Sequence, residues 1–174
     1  MKIAIFGGAF DPPHLGHREL LKEALRLEIF EQLWLIPTFI PPLKMKNGND
    51  GSVAGPEERL EMCRILVSSC HPERREGSLA NARVLDLEIK RKGKSYTIDT
   101  IRELKRLHPD DKFFFLIGSD WVKNLGKWYK IDELYKEAEF ISLPRTKISS
   151  SMIRERIKNN QSIKDLVSEE IEEY

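Results

Sequence analysis

The sequence predicts an α/β fold built on a parallel sheet. Short apolar runs rich in branched and aromatic residues recur at Lys2 to Phe6, Gln32 to Ile36, Phe113 to Ile117 and Phe140 to Leu143. Amphipathic stretches with helical spacing lie between them, and alternation of this kind implies parallel strands joined by right-handed crossovers. The first three runs end in turns of glycine, proline or acidic residues, at the edge where open α/β sheets take ligands.

Ile3, Ala4, Ile5 and Phe6 form a continuous apolar run, as a strand covered on both faces requires. Gly7 and Gly8 follow, where the missing Cβ lets the backbone turn sharply and approach a ligand closely. The chain then reads Ala9-Phe10-Asp11-Pro12-Pro13-His14-Leu15-Gly16-His17 and enters a helix. From Glu19 to Leu27 that helix is amphipathic, with Leu20, Leu21, Ala24, Leu25 and Leu27 on its apolar side. Gln32 to Ile36 is a second buried strand, and Pro37 to Lys44 prolongs its carboxyl end. Met45 to Gly55 is rich in Asn and Gly and predicts a lid or binding loop.

Pro56 opens the next helix, with Glu57 and Glu58 at its positive end, and the helix runs to about Ser69. His71 to Ala82 reads as loop. Val84 to Lys90 alternates apolar with charged residues and predicts a strand with one wetter face, followed by a turn at Arg91 to Lys94. Ser95 or Thr97 can cap a helix to about Leu107, which His108-Pro109 ends. Phe113 to Ile117 is the most hydrophobic strand and should be central, and Gly118-Ser119-Asp120 follows it. Ile131 to Glu137 predicts a short helix and Phe140 to Leu143 the last strand. Ser149-Ser150-Ser151 caps a helix through about Asn159, and residues 163–173 read as a helical tail. The expected architecture is a Rossmann-like, doubly wound sheet of about five parallel strands with flanking helices, one domain over residues 1–174.

A chain of 174 residues, 40% hydrophobic, can bury a core without metals or disulfides. Its net charge of +1 gives no electrostatic basis for bulk binding to nucleic acid or membrane. Charged residues reach 33%, many of them Lys and Glu, a composition also met in heat-adapted proteins. No apolar run is long enough to span a bilayer, and since the sequence opens on a core strand no signal peptide is expected. Cys63 and Cys70 share one helical face but lie too far apart along the axis to bridge. Reduced thiols and a cytoplasmic location are expected.

Chemistry concentrates in the first turn. A helix start offers free N–H groups and positive potential to an anion, and His14 and His17 add side-chain donors beside it. There is no Gly-Lys-Ser/Thr of a Walker loop and no G-x-G-x-x-G fingerprint. The stretch resembles the G-G-x-F-D-P-x-H-x-G-H signature of the H-x-G-H nucleotidyltransferase superfamily. Pro41-Pro42-Leu43-Lys44, Glu58-Arg59-Leu60-Glu61-Met62, Lys94-Ser95-Tyr96-Thr97-Ile98-Asp99-Thr100, Gly118-Ser119-Asp120, Trp128 and Ile148-Ser149-Ser150-Ser151-Met152-Ile153-Arg154 follow in order. Together they are similar to bacterial nicotinate-nucleotide adenylyltransferases over nearly the whole chain.

The resemblance implies adenylyl transfer from ATP to nicotinate mononucleotide, with no covalent intermediate. His14, His17 and Arg154 are the expected catalytic residues. Gly7, Gly8, Phe10, His14, His17, Gly118, Asp120, Ser149, Ser150, Ser151 and Arg154 would bind ATP. Phe39, Lys44, Tyr96, Thr97, Trp128 and Arg145 would bind the nicotinate nucleotide. Mg2+ would arrive with ATP, and no protein ligand is assigned to it. Other roles stay open for several of these residues: the histidines and Asp120 can be helix caps, Arg154 a solvated cation and Trp128 a core aromatic. Ser151 stands where the family usually has threonine, and Leu43 where it often has histidine. Rival readings are a related transferase using pantetheine phosphate, or a nucleotide-binding module without turnover.

One departure from the family bears on topology. Its members place a longer segment, with a further strand, before the serine motif. Here only Thr146, Lys147 and Ile148 separate Arg145 from Ser149. A parallel crossover needs about ten residues or more, so Phe140 to Leu143 is expected to be an edge strand. Either the C-terminal tail covers that edge, or two chains pair there as a homodimer.

Overall fold

A computed structural model describes residues 1–44, 52–68, 81–144 and 146–174. It holds one five-stranded parallel sheet: β1 (Lys2–Gly8), β2 (Gln32–Pro37), β3 (Ala82–Val84), β4 (Lys112–Gly118) and β5 (Glu139–Leu143), in the order β3-β2-β1-β4-β5. The order reverses direction beside β1, which leaves a crevice at the carboxyl ends of β1 and β4. The helices are α1 (Leu15–Arg26), α2 (Pro56–Ser68), α3 (Leu87–Arg91), α4 (Thr97–Leu107), α5 (Ile131–Glu137), α6 (Ser150–Lys158) and α7 (Glu169–Glu173).

Alternation along the strands explains the double winding, because successive side chains leave a strand on opposite faces. Ala4, Phe6, Leu33, Leu35, Phe114 and Leu116 join one core with residues of α1, α2, α6 and α7. Ile3, Ile5, Trp34, Ile36, Phe113, Phe115 and Ile117 join the other with residues of α4 and α5. β1 is the central strand; the more hydrophobic β4 lies one place from the edge, buried because helices cover both its faces.

Several expectations need correction. The segment predicted as a strand at Val84 to Lys90 pairs with β2 only as far as Val84, and Leu85 N–H closes the ladder on Leu35 O. Residues 87–91 are helical instead. Leu85 and Ile89 are four apart as well as on one parity, so seven residues do not separate a period of 2 from one of 3.6. Tertiary contacts decide: Asp86 pairs with Lys90 one turn on, and Glu88 is buried against Thr100.

α1 starts at Leu15, so both histidines lie at the helix mouth. Gly7 and Gly8 do not make the turn; they end β1, and Phe10 turns the chain with φ of 49°. Gly7 is needed for space, since a Cβ there would meet the Phe115 ring at 2.9 Å. Neither Ser95 nor Thr97 caps α4: its N-cap is Tyr96, without a side-chain cap bond, and Ser95 Oγ accepts the Phe39 N–H instead. Of the helical tail, only Glu169–Glu173 is α-helix.

β5 is the edge strand, and among the described residues α6 follows it with no sixth strand between. The C-terminal segment turns toward α1 and α2 and does not run along β5 as a sixth strand. Leu15 N–H donates to Leu166 O, and α7 lies against α2. Cys63 is a buried free thiol whose pKa burial pushes up. Cys70, the 71–80 loop and most of the lid region lie outside the described residues. No described helix is long and apolar enough to cross a membrane.

Candidate active site

A cleft of about 750 Å3 opens at the carboxyl edge of the sheet, lined by the ends of β1 and β4 and the starts of α1, α4 and α6. At one end His14 is the N-cap of α1 and His17 its third residue. His14 N–H donates to His17 Nδ1 at 3.1 Å, and His17 N–H donates to His14 Nδ1 at 3.3 Å. The two rings stack with centroids 3.7 Å apart. A ring nitrogen that accepts a backbone N–H cannot carry a proton, so each neutral imidazole holds its proton on Nε2. Burial pulls the His14 pKa down to about 4, which keeps that ring neutral at pH 7. Gly16 is required here, because a Cβ would collide with Thr146 and the His14 ring.

α6 reaches the same end. Ser149 caps it by accepting Met152 N–H, and Ser150 Oγ donates to Pro12 O at 2.9 Å. Arg154 donates to Asp11 O at 2.5 Å and Ser151 Oγ at 3.3 Å, and lies 3.5 Å from the Asp11 carboxylate. It is an anchored cation, not a solvated one. Asp11, 3% exposed, also accepts the N–H groups of Val53 and Ala54. Two helix N-termini therefore border one end of the cleft.

The far end is built on α4. Ser95 N–H donates to Ile40 O, and Ile40 pairs with Lys94, which ties the α4 start to the segment after β2. Tyr96 and Thr97 line the wall, with Tyr96 against Tyr129 at 4.5 Å. Trp128 stands edge-on to Phe115 at 5.6 Å. Five buried side-chain polar atoms among the described residues lack a hydrogen bond, and three of them belong to residues on this cleft: Thr38 Oγ1, Glu88 Oε2 and Trp128 Nε1. Buried polar groups are almost always paired, so this concentration points to a polar ligand.

A family model described as cytidylyltransferase-like matches residues 5–156. The nicotinate-nucleotide adenylyltransferase of Bacillus subtilis (strain 168) is 35% identical over 191 positions, which cover 99% of this chain and 94% of that protein. A "Probable nicotinate-nucleotide adenylyltransferase" of Geobacillus thermodenitrificans is 39% identical, over 99% of this chain and 82% of that protein. The chain belongs to the nicotinate-nucleotide adenylyltransferase family.

Folds in the family agree with this one. A Vibrio parahaemolyticus protein described as a nicotinate-nucleotide adenylyltransferase superposes with a TM-score of 0.79 at 23% identity, covering 99% of this chain and 96% of that one. A Plasmodium falciparum nicotinic acid mononucleotide adenylyltransferase, complexed with NaAD, gives 0.74 at 20% identity, covering 97% and 91%. The stretch aligned with the Geobacillus relative is longer than this whole chain, so that adenylyltransferase carries insertions that this chain lacks.

Most residues expected to bind in this adenylyltransferase meet on the cleft: Gly7, Gly8, Phe10, His14, His17, Gly118, Asp120 and Ser149 to Ser151 at one end, Tyr96, Thr97 and Trp128 at the other. Asp120 is exposed beside Gly118 and is not the cap of the 3-10 turn that follows, which is Trp121. Arg154 stands behind the serines, and Phe39 lies one residue outside the wall formed by Thr38. The Lys44 side chain and Arg145 lie outside the described residues.

Sequence reading assigned no role to Arg59, which is 1% exposed. Its guanidinium donates to Ala54 O, Ala9 O and Phe39 O at 3.2, 2.6 and 3.0 Å, and so joins three loops of the site. The signal was present, since Arg59 falls on the helical face of Cys63 and Leu66, a core position with a charge on it. Glu88 carried no such signal, because the alternation placed it on the wet face.

Proposed function

We propose that this chain transfers the adenylyl group of ATP to nicotinate mononucleotide, giving deamido-NAD and pyrophosphate. One observation carries the reading: two helix N-termini meet at one end of the cleft and a third, α4, stands at the other. That arrangement suits two anionic substrates. A phosphate oxygen of the mononucleotide bonds to the α-phosphorus of ATP, the bond from that phosphorus to the bridging oxygen breaks, and pyrophosphate leaves. A phosphate monoester is already ionised near neutral pH, so the reaction needs no protein nucleophile and no base.

His14 and His17 serve as fixed Nε2–H donors to the reacting phosphates, where preorganised donors act most strongly. Gly7, Gly8 and Phe10 shape the phosphate loop, Gly118 and Asp120 meet the ribose, and Ser149, Ser150, Ser151 and Arg154 hold the outer phosphates. At the far end Tyr96 and Thr97 present the α4 start to the nicotinate carboxylate, and Trp128 lies against the ring. Phe39, Lys44 and Arg145 complete that side. Mg2+ would enter on the triphosphate and neutralise its charge. Among the described residues no group of three His, Cys, Asp or Glu side chains could hold a metal.

The whole chain acts as one domain in the cytoplasm, binds neither nucleic acid nor membrane, and pairs along β5 as a homodimer. A pyrophosphate-release assay with ATP and a panel of acceptors tests the reaction. Nicotinate mononucleotide should be used with the highest kcat/KM, ahead of nicotinamide mononucleotide and pantetheine phosphate. Preference for pantetheine phosphate, or no turnover with any acceptor, overturns the reading.

A further inference from the structure

Glu88 is the buried acid that this mechanism leaves unused. The residue is 5% exposed, yet it belongs to the cleft wall, together with Ser95, Tyr96 and Thr97. Oε1 accepts the Thr100 hydroxyl at 2.5 Å, and the Ser95 hydroxyl also lies beside the carboxyl. Thr100 lies in the first turn of α4, so this carboxyl shares the helix start with any anion bound at Tyr96 and Thr97. A helix N-terminus carries about half a unit of positive charge. An ionised Glu88 satisfies that potential and repels a second carboxylate; a neutral Glu88 leaves it to the ligand.

We propose that Glu88 couples acceptor binding to proton uptake: in its acid form the far end of the cleft admits a ring carboxylate, and in its ionised form it does not. The proton comes from solvent and stays on the Glu88 carboxyl; no other bond changes. The inference rests on the functional reading above and names the residue that sets its acceptor charge preference. Burial raises the Glu88 pKa above the usual carboxylate range, opposed by Thr100, Ser95, Arg91 and Arg59. The groups that face it are Arg91 at 4.0 Å on its own helix, Arg59 on α2, Thr100 on α4 and Ser95 just before α4. Arg91 is itself engaged by Glu103 at 2.9 Å and by Thr100, which tempers its pull on Glu88. A bound carboxylate raises the Glu88 pKa further, so affinity must fall as pH rises through that value.

Titration calorimetry of nicotinate and nicotinamide mononucleotide, from the lowest to the highest pH at which the protein stays folded, tests this. Both carry the same phosphate, so its titration cancels between them. Wild type should lose about fivefold or more of its affinity for the carboxylate over that range, relative to the amide. Glu88→Gln, which keeps an acceptor for Thr100, should flatten the difference. Thr100→Val deletes a bond that favours the ionised form and should move the loss to higher pH, which decides the matter if Glu88→Gln does not fold. An unchanged slope in either folded variant, or equal slopes for both ligands in wild type, overturns the proposal. If neither ligand binds wild type at any pH, the functional reading falls and this inference with it.

Discussion

His14 and His17 each receive the other's backbone N–H at Nδ1, which makes the helix cap and the donor pair one structure. Capping and ligand binding are therefore not alternatives for these residues: the cap fixes the tautomer that binding needs. His17→Ala should lower kcat by about a hundredfold or more, as the loss of one preorganised donor does, with the melting temperature largely kept. Near-wild-type turnover would remove His17 from the reaction. His14 predicts a pH effect on stability. Its folded pKa, about 4, lies below the ordinary 6.5, so the unfolded chain takes up a proton first as pH falls. Stability from this group is complete above pH 6.5 and is lost progressively toward pH 4, by about 3 kcal/mol. His14→Asn keeps a capping oxygen and cannot titrate. Urea denaturation at pH 7 and pH 4.5 should show a smaller loss for His14→Asn than for wild type; equal losses would refute the assignment.

Among the elements, the loops of the site owe their positions to two buried charges. Asp11 gathers residues 53–54 and Arg154, and Arg59 gathers the carbonyls of Ala9, Phe39 and Ala54. Arg59→Met retains much of the bulk but strands those carbonyls. Removing one side of a buried charged network costs about 3 kcal/mol or more, and denaturant midpoints would read it. Because Arg59 joins the loop after β1 to the segment after β2, KM for both substrates should rise as well. A variant as stable as wild type would show that the carbonyls find other partners. α3 belongs at this scale too: five residues take a helical turn because Glu88 finds Thr100 there, against an alternation that suited a strand.

For the molecule as a whole, the short link from β5 to α6 leaves β5 at the edge of the sheet. The chain after α6 docks on α1 and α2. An apolar edge strand invites pairing unless it is covered, and light scattering at micromolar concentration should give the mass of a dimer. A monomer would mean that the edge is guarded within the chain itself. The many surface ion pairs, such as Arg102 with Glu133 and Glu137, are exposed and add little individually at ordinary temperature.

Local sequence settles the α/β class, the strand cores, the histidine turn, the serine cap before α6 and the absence of a further strand between β5 and α6. Each rests on local information: periodicity, a cap residue, or a chain too short for a crossover. Tertiary structure decided the rest. It set β1 at the centre in place of β4, because strand order depends on packing partners. It put the sharp turn at Phe10 and left Gly7 to make room beside Phe115. It made α3 a helix, and it buried Glu88 on the cleft wall and Arg59 among the loops of the site, because contacts distant in sequence compensate a charge removed from water.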